Sequence, residues 1–385
     1  MGKQKNSKIK VLVAMSGGVD SSVAAALLKK EGFEVTGLFM HFWSDPALVP
    51  LPNKCCSLEA LKAARAVASV LGIPLHTLDF RDEFKEEVVN YFISEYKCGR
   101  TPNPCVVCNK KIKFGLLLVE AKKLGADFLA TGHYARIKKA QGPGPRAQSF
   151  HLLKGVDENK DQSYFLWQLN QKELAHLLFP IGEYKKEEVK KLAQKFKLST
   201  AKRPESQEIC FVPSDDYRDF LANYLRDSPK LGPIFDLAGN LLGEHQGLPY
   251  YTIGQRKGLP IKVTNPVFNP YYVLKLDKKK NALIVGKEED LYKKEIELRN
   301  VSWISDRSPK FLVKCKVKIR YGMEEQDANV KCQMSPKESL RDLTGQAKVK
   351  CCQVVFKKPQ RAVTPGQSAV IYLKDEVIGG GIIEG

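Results

Sequence analysis

The chain is 385 residues long, 43% hydrophobic and 27% charged, with a formal net charge of +19. That length accommodates two or three domains with ample core, and no apolar run approaches the roughly 20 residues of a helical bilayer span. The charge excess implies a polyanionic partner, with nucleic acid leading because no amphipathic basic helix or lipidation signal favours a membrane. Met1 to Lys8 is basic but leads straight into an apolar strand with no signal-peptide core, so a cytoplasmic enzyme is expected. Ten cysteines in such a chain argue against a disulfide scaffold, and most read as small buried hydrophobes.

Taken in chain order, Val11 to Met15 is an apolar strand, and Val23 to Leu28 begins a helix that ends at Gly32. Glu34 to Trp43 reads as a second strand. Ser57 caps a helix through Leu71 that Gly72 terminates, and Ile73 to Phe80 is a third strand. Helical patterns follow at Arg81–Lys97 and Lys110–Leu124, then a strand at Ala126–Thr131. Strands alternating with helices of this length predict a parallel α/β sheet whose site lies at the C-terminal strand edge. Gln141-Gly142-Pro143-Gly144-Pro145 marks a loop between two strand-like runs, and helices are expected at Asp161–Leu178, Lys185–Lys197 and Asp216–Leu225. From Gly232 onward the pattern turns all-β, with strands at Tyr271–Leu276, Ala282–Val285, Val313–Ile319, Val349–Phe356 and Ser368–Leu373. The expected organisation is a catalytic domain over 1–225, a small, barrel-like β-rich central domain over 226–290, and a C-terminal β-barrel over 291–385.

The segment Ser16-Gly17-Gly18-Val19-Asp20-Ser21-Ser22 joins the first strand to the first helix. Such a turn aims backbone N–H groups and the positive helix end at one spot, which suits a phosphate. Asp20 is placed to hold Mg²⁺ among phosphate oxygens. The spacing is neither the Walker pattern nor the dinucleotide GxGxxG; it resembles the SGGxDS signature of ATP pyrophosphatases, which cleave ATP between its α and β phosphates. A second constellation is Thr101-Pro102-Asn103-Pro104-Cys105-Val106-Val107-Cys108, before a helix rich in Lys110, Lys111 and Lys113, surroundings that favour a reactive thiolate. By itself this CxxC fits dithiol redox chemistry, half a metal site, or one catalytic cysteine with a bystander. Cys210 follows in Glu205-Ser206-Gln207-Glu208-Ile209-Cys210.

AMSGGVDSS, GRTPNPCVVCNKKIKFG, ATGHYAR, KDQSYFL, ESQEICFVP, LPYYTIGQRKGL and PQRAVTPGQS together resemble the bacterial tRNA-specific 2-thiouridylases over nearly the whole chain. The resemblance implies 2-thiolation of the wobble uridine, by adenylation of its C2 oxygen and sulfur transfer. It implies that Ala14, Met15, Ser16, Gly17, Gly18, Val19, Asp20, Ser21, Met40 and Gly132 bind ATP. Asn103, Pro104 and Cys105 would meet the target base, and His133, Lys160, Asp161, Gln162, Arg320, Tyr321 and Gln367 would contact tRNA. Cys108 would be the nucleophile and Cys210 the persulfide carrier, loaded by a sulfur-donor or relay protein. Two departures stand out: Cys105 replaces a common Asp, and Tyr321-Gly322-Met323-Glu324-Glu325-Gln326 is less Arg-rich than in the family. Cys105, Cys108 and Cys210 would suit an iron–sulfur cluster if they converged, but the cluster-free persulfide route is favoured because two cysteines suffice for it. Rival readings are another adenylating ligase on this scaffold and a non-catalytic RNA-binding or sulfur-carrier protein.

Other features read as structural. Cys55-Cys56 and Cys351-Cys352 are adjacent pairs, and Cys98, Cys315 and Cys332 have no companion motif. Lys278-Lys279-Lys280 reads as a solvated turn and Gly379-Gly380-Gly381 as a strand bulge or turn.

Overall fold

The computed structural model describes residues 8–44, 57–141, 148–203, 209–212, 216–225, 230–262, 271–305, 309, 312–334 and 349–384. Cys55-Cys56, the Gly142–Pro145 loop and Glu205–Glu208 lie outside the described residues. The chain forms two compact units: one from residues 1–88, 105–213 and 375–378, the other from 89–104, 214–374 and 379–385.

The first unit begins β1 (Lys10–Ala14), α1 (Val19–Lys30), β2 (Glu34–His41), α2 (Leu58–Leu71), β3 (Leu75–Asp79) and α3 (Arg81–Phe84). Ser57 caps α2 by accepting from the Ala60 amide at 3.2 Å, and Gly72 ends it in the left-handed region, as the sequence predicts. A wide π-helical turn, Lys85–Val89, runs on into α4 (Asn90–Lys97), which belongs to the second unit. The helix predicted over Lys110–Leu124 starts earlier and in pieces: α5 (Pro104–Val107), a π-helical stretch over Cys108–Leu116, and α6 (Leu117–Lys123). Then come β4 (Phe128–Ala130) and the hairpin β5 (Ala135–Gln141) and β6 (Gln148–Lys154).

The helix expected over Asp161–Leu178 does not form. That span holds a 3-10 turn (Ser163–Phe165), a single helical turn α7 (Gln171–Leu174) and β7 (Leu177–Leu178). The physical reason is local competition. Asp161 accepts from the amides of Gly155 and Ser163, both at 3.0 Å, and Asn170 caps a fresh turn, so the backbone has partners outside a continuous helix. β7 is then taken up by β4, with Leu129 opposite Leu177. Helix α8 (Lys186–Lys195) follows.

The sheet runs β3-β2-β1-β4-β7 with every pairing parallel. β1 is central, with Val11 and Val13 at 0% exposure and Met15 just after it equally buried, and α1 buries Val23, Ala24 and Ala25 in the same core. The C-terminal ends of β1, β2 and β4 therefore share one edge. At residues 376–377 this unit also receives the start of the last strand, where Glu376 and Val377 pair antiparallel with Leu153 and Leu152 of β6.

In the second unit, α9 (Tyr217–Tyr224) precedes β8 (Gly232–Phe235), β9 (Leu241–His245), β10 (Tyr272–Asp277) and β11 (Ala282–Gly286), a sheet ordered β10-β11-β8-β9. This is the small β-rich body that the sequence predicts between the first domain and the C-terminal barrel. Its core is Ile234, Leu248, Tyr251, Val273, Leu283 and Val285. Lys278–Lys280 is an exposed turn between β10 and β11. Six strands complete the unit: β12 (Tyr292–Trp303), β13 (Val313–Lys318), β14 (Gln326–Met334), β15 (Val349–Arg361), β16 (Ser368–Leu373) and β17 (Glu376–Glu384). They run β12-β15-β14-β13-β16-β17, and β12 pairs with β17 to close an antiparallel barrel. Gly379 and Gly380 sit opposite Trp303 and Ser302, beside a register shift, which matches the expected bulge.

One cysteine expectation changes. Cys332 and Cys352 face each other across β14 and β15 and form a disulfide. The spacing of 20 residues did not reveal it, because only the strand register brings the two thiols opposite. Cys332→Ala or Cys352→Ala is expected to cost about 2–4 kcal/mol of barrel stability, measured as denaturant unfolding with and without reductant. The wild type should show two fewer alkylatable thiols before reduction than after it.

Candidate active site

The turn after β1 is built from its own hydroxyls. Ser21 Oγ donates to the Gly18 carbonyl at 3.2 Å and accepts from the Ser16 amide at 3.2 Å, while Ser22 Oγ donates to Gly18 at 2.7 Å. Gly17 has φ +73°, and a side chain there would collide with the Ala60 carbonyl. The Gly18 cap makes no side-chain hydrogen bond, which leaves the first amides of α1 uncovered, the arrangement that binds anions. Gly132 packs its Cα side against the backbone of Asp20 and Ser21, so the end of β4 floors the turn. Ala14, Met15, Val19 and Met40 are buried around it, and Ser16 is exposed. Arg203 donates to the Gly17 carbonyl at 2.9 Å.

Asp20 is not an open carboxylate. The Lys186 ammonium lies 2.7 and 2.8 Å from its two oxygens, and the Tyr134 hydroxyl donates to Oδ1 at 2.8 Å. Lys186 is 4% exposed at the start of α8, with its backbone amide bonded to Asp157. A lysine within a Lys/Glu run reads as solvated, and neither it nor Arg203 stands out in the sequence. The only available signal was position: Lys186 opens a helix in the α/β region.

The thiols differ in setting. Cys105 is exposed, Cys108 is buried at the start of the π-helical stretch, and Cys210 is half-buried beside Phe211, which packs on Phe84. The lysines after Cys108 are partly spoken for: Lys110 pairs with Glu173 at 2.8 Å and Lys111 with Glu87 at 3.3 Å. Asn109 donates to the Phe165 carbonyl at 3.2 Å, which ties the thiol helix to the KDQSYF segment. Among the described residues no three His, Cys, Asp or Glu side chains are grouped so as to hold a metal ion.

The KDQ residues are largely internal. Asp161 is 4% exposed and satisfies three donors, from Gly155, Ser163 and the Ser163 hydroxyl. Gln162 accepts from the Tyr134 amide at 3.0 Å, and Lys160 is half-buried. His133 lies between Phe114 and Phe179, bonds Thr131 Oγ1 at 2.7 Å, and is held well below its usual pKa by burial, with Lys113 adding to the effect.

The second unit contains its own cleft, about 880 Å³, lined by Arg218, Gln255, Lys257, Arg320, Thr364 and Gln367 among others. Arg320 donates to Ala362 O and Thr364 Oγ1 at 3.1 and 2.9 Å, and Tyr321 is 37% exposed beneath the Lys318 ammonium. Gln367 donates to the carbonyls of Thr101 and Pro102 at 3.0 and 3.2 Å. Asn103 and Pro104, next along the chain, are half-buried and buried.

Three family models match in tandem: a tRNA methyl transferase HUP domain over 9–214, a tRNA methyl transferase PRC-barrel domain over 218–287, and an aminomethyltransferase beta-barrel domain over 293–383. The tRNA-specific 2-thiouridylase MnmA 2 of Thermoanaerobacter sp. (strain X514) is 47% identical over 377 residues, covering 97% of this chain and 98% of that protein. The chain belongs to the tRNA-specific 2-thiouridylase family. The MnmA proteins of Carboxydothermus hydrogenoformans and Clostridioides difficile are 46% and 43% identical, each over 97% of this chain and over 97% and 98% of their own lengths.

Lys186→Met should weaken ATP binding. It should also lower stability by about 1–3 kcal/mol, because it orphans a carboxylate that water only partly screens. ATP titration and melting curves separate the two effects. His133 gives a pH test. Its folded pKa is depressed, so the unfolded chain binds the extra proton; the stability it contributes is present above about pH 6.5 and is lost as pH falls below that. His133→Phe should flatten that part of the stability–pH curve.

Proposed function

We propose that this protein is an ATP-dependent tRNA sulfurtransferase that thiolates C2 of the wobble uridine. The observation that carries the reading is the near-full-length likeness to relatives named tRNA-specific 2-thiouridylases, in a chain with an uncapped phosphate turn and the cysteines Cys108 and Cys210 in one unit. In this reading the amides of α1, with Lys186 and Arg203 near them, receive the polyphosphate of ATP. The uridine C2 oxygen attacks the α-phosphorus and pyrophosphate leaves, which turns a poor electrophile into one with AMP as leaving group. The terminal sulfur of a Cys210 persulfide then attacks C2 and displaces AMP. Cys108 attacks the Cys210 sulfur, which leaves the new sulfur on the base and a Cys108–Cys210 disulfide that an external dithiol reduces.

Asp20 would be the carboxylate to hold Mg²⁺ at this turn, but Lys186 and Tyr134 already take up its oxygens, so the residues as arranged do not fit the ion and no step is routed through it. This route needs no iron–sulfur cluster, because two cysteines suffice for it. The tRNA is held in this reading by Asn103, Pro104 and Cys105 at the base and by Lys160, Arg320 and Tyr321 elsewhere. The target base is splayed out, as enzymes acting on bases require. A sulfur-relay protein loads Cys210.

Cys108→Ser and Cys210→Ser are expected to keep tRNA-dependent AMP release while losing thionucleoside, read by nucleoside mass analysis. A sulfur-free product with both variants fully active would favour a different adenylating ligase. Absence of tRNA-dependent AMP release in the wild type would leave only an RNA-binding role.

A further inference from the structure

In the second unit the segment Arg100–Pro102 is held from both ends of its backbone. The Thr101 amide donates to the Pro365 carbonyl at 2.9 Å, and the Gln367 side-chain amide donates to the carbonyls of Thr101 and Pro102 at 3.0 and 3.2 Å. Both donors of that amide are thus engaged by one loop. Gly366, at φ +91°, lets the turn press this close; a side chain there would meet the Thr101 amide and carbonyl at 3.0 and 2.9 Å. Just before the segment, Glu95 is 6% exposed on α4 and takes Arg100 Nε at 2.7 Å and Arg299 of β12 at 3.3 Å. The barrel therefore supplies two independent anchors, from β12 and from the turn before β16.

The next residues are Asn103, Pro104 and Cys105. Pro102 and Pro104 fix their own φ, and each restricts the residue before it to extended conformations. A stretch this stiff transmits the position of its start to its end. We propose that Gln367 is a positioning residue that clamps Thr101 and Pro102, and so presents Asn103, Pro104 and Cys105 to the target base. The inference rests on the thiouridylase reading and adds a positioning role to it.

The test uses the full-length enzyme with Gln367→Met, which keeps the volume and removes both donors, and Gln367→Glu, which cannot donate. Three quantities are read: hydrogen exchange over residues 99–105, tRNA dissociation constant, and kcat and KM for tRNA-dependent AMP release. The clamp predicts exchange at the Thr101 amide faster by about tenfold or more and kcat lower by about tenfold, with melting temperature recorded to exclude global unfolding. Unchanged exchange and unchanged kcat would overturn the proposal, and a weaker tRNA dissociation constant beside them would make Gln367 a tRNA contact only. If the wild type releases no AMP with tRNA, the thiouridylase reading fails; the exchange measurement still decides whether the clamp exists.

Discussion

A lysine that buries its side chain must bring a counter-charge with it, because an unpaired ammonium in a protein interior is far too costly. Lys186 meets that demand with Asp20, in the first turn of α1. The ion pair ties the N-terminus of α8 to the phosphate turn, and Tyr134 adds a third point through its hydroxyl. Gly132 underlies the same turn and Arg203 grips its Gly17 carbonyl. The turn after β1 is thereby braced from behind by three separate parts of the first unit. Amides held this way would need no rearrangement to meet a charge developing before them.

The same device recurs at three candidate segments, each with a carboxylate behind it: Asp20 at the turn after β1, Asp161 under the KDQ segment, Glu95 ahead of the proline-rich loop. Asp161 holds irregular backbone directly through two amides, while Asp20 and Glu95 act through Lys, Tyr and Arg side chains from other elements.

Much of the first unit was legible in the sequence because its signals are local. Ser57 and Gly72 mark both ends of α2, and the apolar run before Ser16 could only be a buried strand. The SGGVDSS and CVVC segments were likewise visible as chemistry. What was missed depends on tertiary partners. Leu177 and Leu178 extend as a strand only because β4 offers an edge, so their apolar pattern read as helix. Strands β8, β9, β12, β14 and β17 were not singled out; of these, β12 pairs with strands far along the chain, β15 and β17. Lys186 resembled every other lysine of its run until Asp20 was brought beside it, and Cys332 found Cys352 only through strand register. Gln367 was visible as a polar residue in a Pro/Gly turn, but nothing local indicated that its amide would be consumed by Thr101 and Pro102.

Neither compact unit is a continuous piece of chain. The first takes residues 375–378 from near the far end, and the second takes 89–104 from the middle of the first. During synthesis on a ribosome, β6 therefore waits with unsatisfied edge groups at Leu152 and Leu153 until Glu376 and Val377 emerge. The Thr101–Pro102 loop waits in the same way for Gln367. The parts of the molecule nearest the proposed chemistry thus acquire their final restraints last, so a nascent chain has the phosphate turn long before it has a fixed loop in front of Cys105.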